Sequence, residues 1–303
     1  MSFSFRRSLA ALPVAAAVWL GPAGAQVNFD TVQVRTVPAG PGVYMLAGVG
    51  GNIGVSIGAD AAFLVDDQFA PLSQKILAAV RALTDRPVRF VVNTHWHGDH
   101  TGGNENLANA GVVVVAHENV RIRMSSEQFI TALNSRSPPA PPRALPVVTF
   151  GNGVTFHLNG DEIHVVHVGP AHTDGDAIIH FGRANVLHLG DLFFNGRYPL
   201  VDLSSGGSFE GLVEAVTAAL RYANDSTRII PGHGPLAGRA DLVRYRDMLA
   251  TIRDRVAALI REGKSREEVI AARPSGEWDA TLGRATIKPE MLIGFAYDSM
   301  RRR

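Results

Sequence analysis

The sequence predicts a mixed α/β fold, and three observations carry that expectation. Short apolar or alternating runs, punctuated by Gly, Asn and Pro, recur through residues 31–65 and again through residues 147–189. Between these two sets, Leu72, Ile76, Leu77, Val80 and Leu83 return at helical spacing. The apolar run Val88 to Val92 follows that helix, giving a β-α-β passage. Two runs of strands with helices attached are expected to pack face to face, with the helices outside.

Bulk properties agree with a globular protein. The 303 residues are 46% hydrophobic and 19% charged, with a formal charge of +1, which is long and apolar enough for a large core. Near-neutral charge gives no support for a nucleic-acid partner, and Arg301-Arg302-Arg303 reads as a solvated tail. Cysteine is absent, so no disulfide, thiolate nucleophile or thiolate ligand is available.

The chain opens with a targeting signal. Arg6-Arg7 form a positive n-region, Leu9 to Leu20 an apolar h-region, and Ala23-Gly24-Ala25 a small-residue cleavage site. The apolar run is short for a transmembrane anchor and contains Pro13. Residues 1–25 are therefore expected to be a cleavable signal peptide, and residues 26–303 a single domain exported to a bacterial periplasm. No stable membrane insertion is expected after cleavage. Paired arginines occur in many n-regions and do not separate general from twin-arginine export.

In the mature chain, Thr31 to Val37, Val43 to Ala47 and Ile53 to Ile57 read as strands, with a Gly-rich turn at residues 48–52. Ala62 to Val65 is a buried strand ending at Asp66-Asp67. Pro71 to Leu83 is the amphipathic helix, Val88 to Val92 the next strand, Asn104 to Ala110 a short helix and Val112 to Val115 a strand. His117 falls near the start of a helix reaching Met124 and reads as a cap. Ser125 to Pro146 is the least regular stretch. Its Pro-rich centre, within residues 135–146, is expected to be extended and to break sheet, as a linker or as a flap over a groove. Strands resume at Val147 to Phe150, Val154 to Leu158, Glu162 to Val168, Ala177 to Phe181 and Asn185 to Leu189. His157, His164, His167, His180 and His188 lie on these and read as ordinary strand histidines. Phe209 to Tyr222 and Asp241 to Arg261 are helices around a short strand at Arg228 to Pro231. Ser265 with Glu268 forms a capping box for one more helix, and the last thirty residues say little about function.

One stretch carries chemistry. At the end of the Val88 to Val92 strand, Asn93-Thr94 break into His95-Trp96-His97-Gly98-Asp99-His100. Three imidazoles and a carboxylate within six residues at a strand exit read as a metal site. Imidazole suits zinc, copper, iron or nickel, and carboxylate widens the choice. His172 likewise opens a loop after a strand, beyond the Gly169-Pro170 turn.

His95-x-His97-x-Asp99-His100 resembles the H-x-H-x-D-H signature of the metallo-β-lactamase superfamily. Three later stretches repeat that family's order: Ala171-His172-Thr173-Asp174-Gly175-Asp176, Leu189-Gly190-Asp191 and Pro231-Gly232-His233-Gly234. The resemblance spans residues 43–249, leaving 250–303 as a helical C-terminal extension. It implies an αββα sandwich with ligands on loops along one edge. It further implies two zinc ions, the first held by His95, His97 and His172, the second by Asp99, His100 and His233, with Asp191 bridging. Asp66 would lie behind the ligands. The implied reaction is attack on a carbonyl carbon by a metal-bridging hydroxide, with Asp99 orienting it and passing its proton on. Asp191 stands where some β-lactamases of the family place cysteine. A β-lactam is the leading substrate, with lactones, esters and thioesters as alternatives. Arg197 is the nearby cation for a substrate carboxylate, and Asn195 or Tyr198 could add hydrogen bonds. An iron-dependent sulfur oxidoreductase and a non-catalytic metal-binding module stay open. The family's oxygen-reducing branch carries glutamate where His97 stands.

Overall fold

Strand-forming runs from the first half of the chain build one sheet, and those from the second half build another. The computed structural model describes residues 27–302; the expected signal peptide lies outside them. The first half contributes β1 (Arg35–Gly40), β2 (Val43–Ala47), β3 (Ile53–Ile57), β4 (Ala62–Val65), β5 (Val88–Val92) and β6 (Val113–His117). A separate hairpin follows, β7 (Gln128–Ile130) with β8 (Ser135–Ser137), and then β9 (Val148–Phe150). The first sheet runs β1-β2-β3-β4-β5-β6-β9, antiparallel as far as β4 and parallel beyond it. Helix α1 (Ser73–Arg81) makes the crossover from β4 to β5. The second sheet keeps chain order through β10 (Gly153–Leu158), β11 (Asp161–His167), β12 (Ala177–Phe181), β13 (Val186–His188), β14 (Arg228–Ile230) and β15 (Ala237–Gly238).

Side-chain alternation along the central strands explains the layers. Phe63 and Val65 of β4 face the second sheet, where they meet Ile163, Val165, Ile179 and Phe181. Ala62 and Leu64 of the same strand face outward, onto Leu72, Ile76 and Val80 of the α1 region. Every β4 residue is therefore buried, as expected of a strand covered on both faces. Beyond β5, α2 (Gly98–Thr101), α3 (Asn104–Asn109) and α4 (Glu118–Met124) complete the helices of the first half. On the second sheet's outer face, Leu187 and Ile229 pack with α5 (Phe209–Ala219), α6 (Arg239–Arg261) and α9 (Pro289–Arg301). The result is the αββα sandwich. Between α6 and α9 lie α7 (Arg266–Ala271), opened by the Ser265–Glu268 capping box, and α8 (Gly276–Leu282).

Three expectations need correction. Residues 29–31 form a 3-10 turn, and the first strand starts only at Arg35. The Lys75 ammonium accounts for this, drawing the carbonyls of Phe29, Asp30 and Val32 to 2.9, 2.7 and 2.9 Å. The helix from Phe209 tightens into a 3-10 turn at Leu220–Tyr222. The irregular segment also holds sheet after all: Ser135–Ser137 pairs with Gln128–Ile130, because the prolines begin only at Pro138. His117 caps α4 as expected, its Nδ1 accepting from the Asn119 N–H at 3.2 Å.

Candidate metal centre

The strand ends of both sheets converge on one edge. Parallel strand β5 delivers His95 and His97, and α2 carries Asp99 and His100 one turn further on. His172 follows β11, Asp191 follows β13 and His233 follows β14. All seven residues named from the sequence meet there. Ligand atoms of His95, His97, His172 and Asp191 lie within 4.8 Å of one another, as do those of Asp99, His100 and His233.

Glycine spacing lets them approach. A β-carbon on Gly232 would stand 2.0 Å from Asp191 Oδ1, so the turn before His233 has no room for any other residue. Gly190 combines a left-handed φ of +49° with the Thr94 hydroxyl 2.5 Å from where its β-carbon would be. Behind the site, Asp66 adopts a left-handed φ of +62°, rare for a non-glycine residue. That turn aims its carboxylate at the Thr94 N–H, 2.7 Å, and at His100 Nδ1, 2.8 Å.

The donor set, in its two groups, suits divalent metal ions. His97 Nδ1 lies 3.2 Å from His95 Nε2 and 2.9 Å from His172 Nε2, so three imidazole nitrogens aim at one point. Each ring's other nitrogen is held from outside: His95 by Thr94 Oγ1 at 3.0 Å, His97 by Asp202 at 3.1 Å and His172 by the Leu200 carbonyl at 2.8 Å. Such outer partners fix which nitrogen faces a metal. Asp191 divides its carboxylate between the two groups. Its Oδ2 lies 3.5 Å from His172 Nε2 and 3.9 Å from His95 Nε2, while Oδ1 lies 3.1 Å from His100 Nε2 and 3.4 Å from His233 Nε2. His100 Nε2 and Asp191 Oδ1 are buried without a hydrogen-bond partner, which a cation between them would satisfy.

Electrostatics of the protein alone follow from this crowding. Burial draws His172 down to about 4, keeping it an uncharged donor. Burial also opposes charge on His233, but Asp191 and Asp99 outweigh it and lift that ring to about 9. Burial works against ionised Asp99 too, and His100 with His233 overcomes it, leaving the carboxyl at about 2.

The substrate contacts named from the sequence separate. Arg197 lines the cavity above the metal centre, which also reaches Asp99, Asp191 and His233. The Asn195 amide is turned away, donating to the Pro235 carbonyl at 2.9 Å. Tyr198 presents its ring to the cavity, but its buried hydroxyl donates to Asp279 Oδ1 at 2.9 Å and to the Ser275 carbonyl at 3.2 Å. That hydroxyl anchors α8 and points its hydrogen bond away from the cavity.

Sequence reasoning missed three contributors. Asp202, fully buried, holds His97 while its Oδ1 accepts from the N–H groups of Ser204 and Ser205. Asp-x-Ser-Ser signals a turn cap, and nothing local ties it to His97. Ile130, Leu133 and Ser137 place the hairpin at the cavity wall, while the prolines from Pro138 onward are not among its lining residues. Ala285, Thr286 and Ile287, between α8 and α9, form the facing wall, so the last thirty residues do reach the site.

Residues 51–234 match the family model of the metallo-β-lactamase superfamily. The chain belongs to that superfamily. The fold comparisons agree. A metallo-β-lactamase from Pontibacter korlensis superposes with a TM-score of 0.59 at 21% identity, over 72% of this chain and 99% of that one. The sec-alkylsulfatase Pisa1 from Pseudomonas sp. superposes at 0.65 and 19% identity, over 88% of this chain and 50% of that one. At these identities the likeness shows the fold. Among curated relatives, the α subunit of a 2,4-dinitroanisole O-demethylase from Nocardioides sp. (strain JS1661) is 26% identical over 174 residues, 55% of this chain and 46% of that protein. The chain spans about half the length of that relative.

Proposed function

We propose that this chain is an exported dinuclear zinc hydrolase acting on a carbonyl substrate, with a β-lactam the leading candidate. The observation that carries the reading is the split of Asp191, one carboxylate oxygen toward each group of histidines. Zinc ions held there would supply an activated water at neutral pH and polarise a carbonyl. The chain's own residues do the rest. Asp99, whose Oδ2 stands 3.3 Å from His233 Nε2 and faces the cavity, orients the attacking water and carries its proton to the leaving group. Arg197, half-buried at the cavity wall, receives the substrate's anionic group. Among the described residues no helix is long and apolar enough to cross a membrane. The export reading rests on residues 1–25.

A second reading, hydrolysis of a sulfate ester, has one observation in its favour. The alkylsulfatase superposition covers 88% of the chain and the β-lactamase one 72%, so the former extends beyond the shared core. Elemental analysis of the mature protein is expected to give about two zinc ions per chain. A single iron with negligible zinc would replace the hydrolase reading by the oxidative one. A panel of β-lactam, lactone, thioester and alkyl sulfate substrates on zinc-loaded protein then decides the bond. No β-lactam turnover would eliminate that candidate, and turnover of alkyl sulfate alone would install the second reading.

A further inference from the structure

The cavity over the metal centre has an unusual division of polarity. Its floor is the ligand set, but its walls are mostly hydrocarbon, with Ile130 and Leu133 from the hairpin region, Phe194 and Leu200 from the loop after Asp191 and Ile287 from the C-terminal segment, interrupted by Ser137 and Thr286. Arg197 is the only Lys or Arg among the lining residues, and among the described residues its guanidinium has no hydrogen-bond or ion-pair partner. A guanidinium carries five donors, and leaving them beside apolar walls is unfavourable unless an anion or water takes them. One wall, the segment Ala285–Ile287, comes from outside the 51–234 core.

We propose that the site selects an amphiphile with one negative charge, its anionic group on Arg197 and a hydrocarbon group against Ile287, Leu133 and their neighbours. The inference rests on the hydrolase reading only in taking the cavity for the substrate site. It separates this chain from enzymes that act on glutathione thioesters. Such substrates bring two carboxylates and an ammonium, and the walls offer one cation and no free carboxylate outside the metal ligands. A long apolar group, in contrast, packs on the hydrocarbon of the cavity wall and gains affinity with every methylene it buries.

Calorimetry on the zinc-loaded mature protein tests this without requiring turnover. The probes are butane-, hexane- and octane-1-sulfonate, each below its micelle concentration, with the matching 1-alkanols as uncharged controls. Dissociation constants of the sulfonates are expected to fall about fourfold per added methylene. Arg197→Gln should weaken every sulfonate by about tenfold, keep the slope with chain length, and leave the alkanols unchanged. Ile287→Asn should flatten the slope while preserving the preference for sulfonate over alkanol. Because Ile287 is buried, Leu133→Asn, at a half-exposed position, repeats the test where folding is not at risk. A wild-type affinity independent of chain length overturns the proposal, as does an Arg197→Gln protein that still prefers sulfonates. Length-dependent binding with no turnover of any substrate would overturn the hydrolase reading and leave the amphiphile site standing. Efficient turnover with flat binding would do the reverse.

Discussion

At the scale of single residues, His95, His97, Asp99 and His100 stood out because their chemistry is compressed into six residues, while Asp191 and His233 were named through the family resemblance. The residues that orient them did not stand out. Asp202 is 105 residues from the His97 it holds, and only the folded chain brings them to 3.1 Å. Two substitutions separate these roles. Asp99→Asn is expected to keep the fold and much of the metal and to lose about 10²–10⁴-fold in kcat, because it removes the proposed proton carrier. Asp202→Asn retains a capping oxygen for Ser204 and Ser205 but loses the charge behind His97. It should weaken metal binding by about 10- to 100-fold, read by competition with a chromogenic chelator. Equal metal affinity in Asp202→Asn and wild type would show that the hydrogen bond to His97 does not tune that ligand.

Among elements, the strands named after the first were placed within one or two positions, while the first strand and the turns depended on distant groups. The Lys75 side chain keeps residues 29–31 out of the sheet, and no local pattern announces that. The start of α4 gives a pH prediction. His117 caps the helix through an Nδ1 lone pair, and its ring stacks on His167 with centroids 3.8 Å apart. Burial, followed by the neighbouring His167, lowers the His117 pKa below its ordinary value. The unfolded chain therefore binds the proton more readily, so this position's stability is present at neutral pH and is lost as pH falls below about 6.5. His117→Asn keeps a capping oxygen without the titration. Its Tm should drop less than that of wild type between about pH 7.5 and about pH 5. Parallel drops in the two proteins would remove His117 as the cause.

For the whole molecule, a mixed α/β class followed from patterning alone, while the sandwich needed the family resemblance. Periodicity says which face of a strand is apolar but not which other element covers it. Here both faces of β4 are covered, one by the second sheet and one by helices. The C-terminal helices were the least legible part, since their contribution to the site lies in a short loop between α8 and α9. Chelation supplies the prediction at this scale. Ions held by both groups should stabilise the fold by about 2.7 kcal/mol per site when free zinc stands a hundredfold above the dissociation constant. Treatment with a chelator should lower Tm, and zinc should restore it; an unchanged Tm would mean that the ligands are equally well ordered without metal. The assignment of ligands to sheets gives this linkage a particular form. Each group mixes the halves, with His95 and His97 meeting His172 and Asp191, and Asp99 and His100 meeting His233. Among the described residues the chain passes between the two sheets once, at Gly151–Asn152. Metals held there would join the two halves at the same edge where the chain itself crosses, because β9 ends beside the ends of β5 and β6, and β10 begins beside the end of β11. A chain nicked at that turn would stay joined through the apolar core that both sheets share, so removing metal from it should loosen one edge of the seam and leave the two fragments associated.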